Sequence, residues 1–265
     1  MSAALIADAA VAPLDADLER RFGGLRRLYG DAGYARIRAL RVAVVGVGGV
    51  GSWCAEALAR SGVAALVLID LDHVSESNVN RQVQALGATL GMAKVQALRE
   101  RIADIHPGCA VAAVEAFVDG ANWPGLLPHD VDVVVDACDQ VRAKAVLAAW
   151  ALGARCPLVA VGAAGGKRRP QDVEVDDLAR VSHDPLLAAL RQRLRQHHGA
   201  ARSGAIGVRC VFSREPVRAP DAQCAIEGDT ATDGSLNCHG YGSSVGVTAT
   251  FGMVAAALAL ESAAL

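Results

Sequence analysis

The residues best equipped for chemistry in this chain of 265 residues fall into a few short stretches. Gly46-Val-Gly48-Gly49-Val-Gly51 has the G-x-G-x-x-G spacing. That spacing lets backbone amides close on a phosphate and aims the next helix N-terminus at it. Asp70 follows roughly twenty residues later, where a carboxylate can accept hydrogen bonds from both hydroxyls of a ribose. Beyond it crowd Asp72, Asn78, Asn80, Arg81, Gln82 and Lys94. The planar fork of Arg81 and the mobile charge of Lys94 suit the negative charge that develops when pyrophosphate leaves an α-phosphate. Asp136-Ala-Cys-Asp139 brings two carboxylates to the end of an apolar run. Asp139 is the kind of hard oxygen donor that holds Mg²⁺ beside phosphates. Cys238, followed by His239 and Gly240, has a setting that can lower a thiol pKa and make it a nucleophile.

Each of these has a plainer reading. The glycines can serve tight helix packing alone, Arg81 and Lys94 can be solvated surface cations, and Asp139 can cap the helix that starts near Arg142. The glycine turn with Asp70 also fits a nicotinamide dehydrogenase. A dehydrogenase would usually proceed to its next βαβ element where this chain places Arg81 and Lys94, so the cations favour a polyphosphate ligand.

The elements that must position these groups alternate along the chain. Apolar runs at Arg41 to Gly46, Ala65 to Asp70, Ala110 to Glu115, Val131 to Asp136 and Pro157 to Gly162 read as strands. Helical periodicity follows the glycine turn through Trp53 and Leu58, and recurs at Met92 to Ile105 and Arg142 to Leu152. This order predicts an α/β fold, a doubly wound, Rossmann-like and mainly parallel sheet with helices on both faces. After Gly165 the pattern loosens: Lys167 to Pro170 reads as a turn, Asp184-Pro185 opens a helix to about Gln196, and Val208 to Ser213 is a short strand. The expected organisation is a disordered extension over 1–20 and one domain over 21–265. In that domain, 21–165 forms a nucleotide-binding core and 166–265 a substrate-binding elaboration.

Hydrophobic residues make up 52% of the chain and aromatics only 4%, so the core must be built from Ala, Val and Leu, as in a covered parallel sheet. The formal net charge of -2 supplies no global attraction to nucleic acid, so any such contact needs a local patch. The seven cysteines contain no C-x-x-C pair, which argues against a disulfide framework or a cysteine zinc site. With no basic leader, a reducing cytoplasmic location is expected. The apolar stretch 245–260 is short of the ~20 residues that span a bilayer and reads as a buried C-terminal helix, with no stable membrane association.

Taken together, Gly46 to Gly51, Asp70, Ser77-Asn78-Val-Asn-Arg81-Gln82, Gly91-Met-Ala-Lys94 and Asp136-x-x-Asp139 resemble the ubiquitin-activating-enzyme-like (ThiF/MoeB-type) superfamily of adenylyltransferases. The resemblance implies that Asp70 binds ribose, that Asn78, Arg81 and Lys94 bind the triphosphate of ATP, and that Asp139 binds Mg²⁺. It implies a reaction of carboxylate with ATP to give acyl adenylate and pyrophosphate. Arg21 to Gly24, Leu28 to Gly30, Gly48 to Trp53, Asp184 to Leu186, Cys210 to Ser213 and Cys238 to Gly252 are similar to the family that dehydrates threonylcarbamoyladenosine in tRNA. That family closes the threonyl carboxylate into a ring with loss of water. A homodimer is then expected, with room for a sulfur-transfer or redox accessory protein.

Gly24 stands where carrier-activating relatives have an Arg that reaches into the partner subunit's ATP site, which leaves Arg21 or Arg27 as substitutes. Those relatives also commonly have paired C-x-x-C motifs, absent here. Adenylation of the C-terminal glycine of a ubiquitin-like sulfur carrier is the alternative activity. The resemblance also points to Cys238, by a transient thioester, while direct ring closure on the adenylate is equally open. Cys54, Cys109, Cys138 and Cys156 read as small core residues. Finally, Arg191, Arg193, Arg195, Arg202, Arg209, Arg214 and Arg218 face a single acid, Glu215, between Leu186 and Arg218. They form either a tRNA backbone patch, extended by Lys167 to Arg169, or an ordinary solvated face.

Overall fold

The computed structural model describes residues 17–218 and 241–264. The Ala-rich N-terminal stretch and Cys238 lie outside the described residues. Residues 18 to 20, expected in the disordered extension, are helical: Leu18–Phe22 forms α1, capped where Asp17 accepts from the Arg20 amide at 3.0 Å. Helix α2, Gly24–Ala39, follows and breaks at Gly30 (φ 69°). Neither helix stands out in the sequence, where four glycines between 23 and 33 obscure the period.

The expected strands and helices form with ends moved by a few residues. They are β1 Arg41–Val45, α3 Gly51–Arg60, β2 Ala65–Ile69, α4 Lys94–Ile105, β3 Ala110–Val114, β4 Val133–Asp136, α5 Val141–Ala154 and β5 Leu158–Val161. After them come β6 Val173–Asp177, α6 Pro185–His197, β7 Arg209–Ser213 and α7 Val245–Ala264. One seven-stranded sheet runs β3-β2-β1-β4-β5-β7-β6, parallel except that β6 pairs antiparallel with β7. The elaboration beyond residue 165 therefore continues the core sheet. Strand β6, Val-Glu-Val-Asp-Asp, went unread because an edge strand can send acids to solvent and loses the apolar signature of a buried one.

Two apolar layers cover the sheet. On one face α3, α4 and α7 pack Leu58, Leu98, Ile102, Phe251 and Ala255. On the other, α5 and α6 pack Leu147, Leu187, Leu190, Leu194 and Phe212. Helix α7 is 20 residues long, not short of a bilayer's span, and by length and composition it could cross a membrane. Half of its apolar window is buried, and it lies against α3 and α2. The close approach requires Gly252, where an added Cβ would strike the Val50 carbonyl and Trp53 Cβ.

Candidate nucleotide and carboxylate site

Strand order reverses at β1, whose neighbours β2 and β4 are followed by connections on opposite sides. At the carboxyl ends of these strands opens a crevice of about 380 Å³. Gly46, Gly48, Gly49, Asp70, Asp72, Asn78, Arg81, Gln82, Lys94 and Asp139 all line it. Gly51 does not. Its Cβ position falls on the Gly46 carbonyl, so it seats α3 against the turn. Gly46 itself has φ +81°, and a side chain there would meet the Cys138 amide. Backbone geometry, not chemistry, requires these two glycines.

The glycine turn is held on both sides. The Val47 amide donates to Asp70 Oδ2 at 2.8 Å, and the Val47 carbonyl accepts from Gln84 Nε2 at 2.9 Å. Asp70 Oδ1 accepts from the Asp72 amide at 2.9 Å, so each oxygen keeps acceptor capacity for a ribose hydroxyl. Burial lifts the Asp70 carboxyl above its ordinary pKa, against the pull of Lys94 and of the two amides.

The cations are placed by their own neighbours. Lys94 opens α4 with its amide on the Asp72 carbonyl at 2.9 Å, and its Nζ donates to Asp72 Oδ2 at 2.7 Å. Arg81 Nη1 donates to the Ser77 carbonyl at 2.6 Å and to Asn80 Oδ1 at 2.9 Å. The Arg81 carbonyl in turn accepts from the Trp53 indole at 2.9 Å. Both side chains are over nine-tenths buried and are not the solvated cations of the plainer reading. Asn78 is spent locally, with Oδ1 accepting from the Ser75 amide at 3.1 Å.

The Asp136-x-x-Asp139 pair divides. Asp136 is fully buried and faces Lys144 Nζ at 3.1 Å, so it does not stand at the open edge with Asp139. Lys144 also donates to the Asp136 and Val161 carbonyls at 3.2 and 2.7 Å, tying the ends of β4 and β5 under the crevice. Burial penalises this ammonium, but the Asp136 carboxylate opposite holds its pKa above the ordinary value. Asp139 is exposed and makes no hydrogen bond or ion pair among the described residues. The cap position of α5 belongs to Gln140, so Asp139 does not cap that helix. No cluster of three His, Cys, Asp or Glu suited to a metal occurs among the described residues. A single free carboxylate beside a phosphate cradle fits Mg²⁺, which takes much of its shell from substrate oxygens and water.

Cys138 packs against the core as read and also lines the crevice, where burial and the neighbouring Asp136 push its thiol well up, which keeps it protonated. Burial pushes Cys54 up to about 12 and Cys109 up to about 11, in keeping with inert core thiols. Cys238 lies outside the described residues. Gly242, four residues further along the chain, accepts from the Gly166 amide at 2.9 Å, one residue from the crevice wall.

Two wall residues, and the bracing role of a third residue behind the wall, were not legible as such. Thr248, near the start of α7, presents its methyl to Gly49; in the sequence it shows only as a polar break in an apolar run. Phe117, half-exposed beyond β3, lines the crevice with no flanking signal. Asp184 caps α6 as its Asp-Pro pair suggests, accepting from Leu187 N at 2.9 Å, and its other oxygen accepts from Ala163 N, also at 2.9 Å, to brace the wall.

The outlying cations fall out differently. Arg21 donates to the Asp104 and Ile105 carbonyls at 2.8 and 2.6 Å, capping α4 of its own chain, so it is no substitute for a cross-subunit Arg. Arg27 is exposed and unpaired among the described residues. Lys167 does not extend a basic patch; it is buried, with Nζ on the His183, Ser213 and Glu215 carbonyls.

Comparison with known proteins yields a consistent set. The model of the ThiF family matches residues 21–265. The tRNA threonylcarbamoyladenosine dehydratase of Escherichia coli (strain K12) is 42% identical, over 91% of this chain and 92% of that protein. Its counterpart in Haemophilus influenzae is 37% identical, over 92% and 93%. A solved structure of the E. coli dehydratase in complex with ATP superposes with a TM-score of 0.82 at 41% identity, covering 94% of this chain and 96% of that one.

Proposed function

The chain belongs to the ThiF family, and from that premise we propose that its crevice activates a carboxylate of a modified tRNA nucleoside with ATP. The activity is the ATP-dependent dehydration of N6-threonylcarbamoyladenosine in tRNA to its cyclic form. One observation supports the reading above the others. Asp70, the glycine turn, Arg81, Lys94 and Asp139 all line a single crevice, which supplies in one place the groups that a ribose, a phosphate, a leaving pyrophosphate and a metal ion would need.

Asp70 receives the ribose hydroxyls, and the glycine turn admits the α-phosphate close to backbone amides. Arg81 and Lys94, pre-positioned by Ser77, Asn80 and Asp72, stabilise charge as the threonyl carboxylate oxygen attacks the α-phosphorus and the bond to pyrophosphate breaks. The carbamoyl group then attacks the activated carbonyl, its proton passes to solvent, and AMP leaves with one former carboxylate oxygen, which accounts for the lost water. Mg²⁺, held by Asp139 and the triphosphate, would supply charge neutralisation on the leaving pyrophosphate. A homodimer fits the half-exposed Val79, Leu86 and Leu90, which lie in the segment between Asn78 and Lys94, with Arg27 as the candidate to reach the partner. The location is the cytoplasm, where tRNA and ATP meet.

The test is pyrophosphate release from ATP and Mg²⁺ with tRNA carrying threonylcarbamoyladenosine, beside the same tRNA without it. Release only with the modified tRNA, and a product lighter by one water, is the expected result. Release instead with a small protein ending in diglycine would replace this reading with carrier activation. Cys238→Ala separates the routes of ring closure: complete loss assigns a thioester to Cys238, and wild-type turnover assigns direct attack.

A further inference from the structure

Seven arginines crowd the sequence between 186 and 218, and the structure sorts them. Arg209 pairs with Glu261 at 3.2 Å, Arg214 with Glu174 at 2.6 Å, and Arg218 with Glu215 at 3.5 Å. These partners are distant in sequence except for Glu215, so the run looked more basic than it is. The remainder does not neutralise itself. Ala188, Arg191, Gln192, Arg195 and Gln196, spaced along one face of α6, join Arg202 to line a hollow with no acid in its wall.

Within the hollow the guanidiniums are aimed but not consumed. Arg191 is steadied by the Leu178 and Val181 carbonyls at 3.0 and 2.8 Å, both through Nη1. Arg195 uses only Nε, on the Ala201 carbonyl at 3.0 Å. Arg202 has no partner among the described residues. Three planar donor forks with two amide side chains and no carboxylate suit a phosphodiester oxygen better than any neutral or cationic group.

The hollow is also tied to the crevice. Leu186, in the first turn of α6, lines the crevice, and Asp184 braces both the α6 N-terminus and the crevice wall at Ala163. From Leu186 to Arg195 the helix rises roughly 13 Å. A stacked nucleic-acid strand advances ~3.4 Å per phosphate along its axis, so the hollow lies about four nucleotide steps along α6 from Leu186 at the crevice wall.

The geometry points to the α6 hollow, through Arg195 and Arg202 with Arg191 behind them, as the site that grips a backbone phosphate of the tRNA arm while its modified nucleoside occupies the crevice. The identity of the RNA rests on the dehydratase reading; the phosphate grip does not. Arg209, Arg214 and Arg218, already paired with acids, take no part.

The experiment measures tRNA affinity by anisotropy across a salt series for the full-length wild type, for an Arg195→Ala/Arg202→Ala variant, and for an Arg209→Ala/Arg214→Ala control that removes the same charge. The hollow variant is expected to bind about tenfold more weakly, with a salt slope shallower by roughly 1.5 to 2. The loss should fall on KM for tRNA and leave KM for ATP in place. The control should hold wild-type affinity within about twofold. Unchanged affinity in the hollow variant, or an equal loss in both variants, would overturn the assignment. A wild type that binds tRNA through the hollow yet turns over no modified tRNA would remove the dehydratase reading and keep the grip. Wild-type turnover with undiminished affinity in the hollow variant would do the reverse.

Discussion

Two regions of this molecule concentrate charge, the crevice at β1 and β4 and the stretch around α6, and they manage it by different means. In the crevice every cation is buried and braced: Lys94 by Asp72, Arg81 by Ser77 and Asn80, and Lys144 beneath them by Asp136 and two carbonyls. Around α6 the charges are half-exposed, and several are cancelled by acids on other elements. A buried cation keeps one geometry and acts strongly because little water screens it. A surface cation acts through its number and its freedom to meet a mobile polyanion. Rate should therefore be lost in the crevice and affinity around α6.

Lys144→Ala should give the largest effect. It strands Asp136 in the interior, at a cost of about 3 to 5 kcal/mol, read as a fall in the midpoint of thermal or urea unfolding. If the paired variant Lys144→Met/Asp136→Leu recovers most of that loss, the pair holds the crevice floor by mutual compensation; if it recovers none, the packing and carbonyl ties of Lys144 carry the stability instead.

Arg81→Ala and Asp139→Ala come next, each expected to lower turnover by roughly 10² to 10³, with the unfolding midpoint moved little for Asp139→Ala. Arg81→Lys should recover only part of the rate, because it restores a charge without the fork. Full activity in either alanine variant removes that residue from the crevice chemistry. Asp70→Asn follows, with a rise of about tenfold in KM for ATP and little change in KM for tRNA; an equal rise in both would mean that Asp70 acts by shaping the turn.

The smallest effect concerns pH. Glu56, on α3 and outside the crevice lining, is pushed up by burial, but Arg101 and Arg60 outweigh that and hold its pKa below the ordinary 4.5. A depressed carboxyl contributes stability that is present above the unfolded pKa and is lost as pH falls through the folded one. The difference in unfolding free energy between wild type and Glu56→Gln should therefore be steady near neutrality and shrink as pH drops below about 5. A constant gap down to pH 3 would show that this ion pair, unlike those of the crevice, contributes nothing through its charge.

The alternation of Val-rich runs with helical periods, the glycine turn and the cations after Asp70 are local patterns, and they were enough to place every strand but β6, the sheet class and the nucleotide crevice. Each of those signals lies within one element or one turn, where spacing translates directly into geometry. What the linear chain could not express was pairing across distance. Asp136 and Asp139 read alike until Lys144 from α5 claims the first. Thr248 reads as a flaw in an apolar helix until α7 crosses α3 and brings it to Gly49. The arginines after Leu186 read as one patch until Glu174 and Glu261 arrive from β6 and α7. Burial, which turns a carboxylate into an ion-pair partner or leaves it free for a ligand, is a property of the packed sheet and helices, and only the tertiary structure decides it.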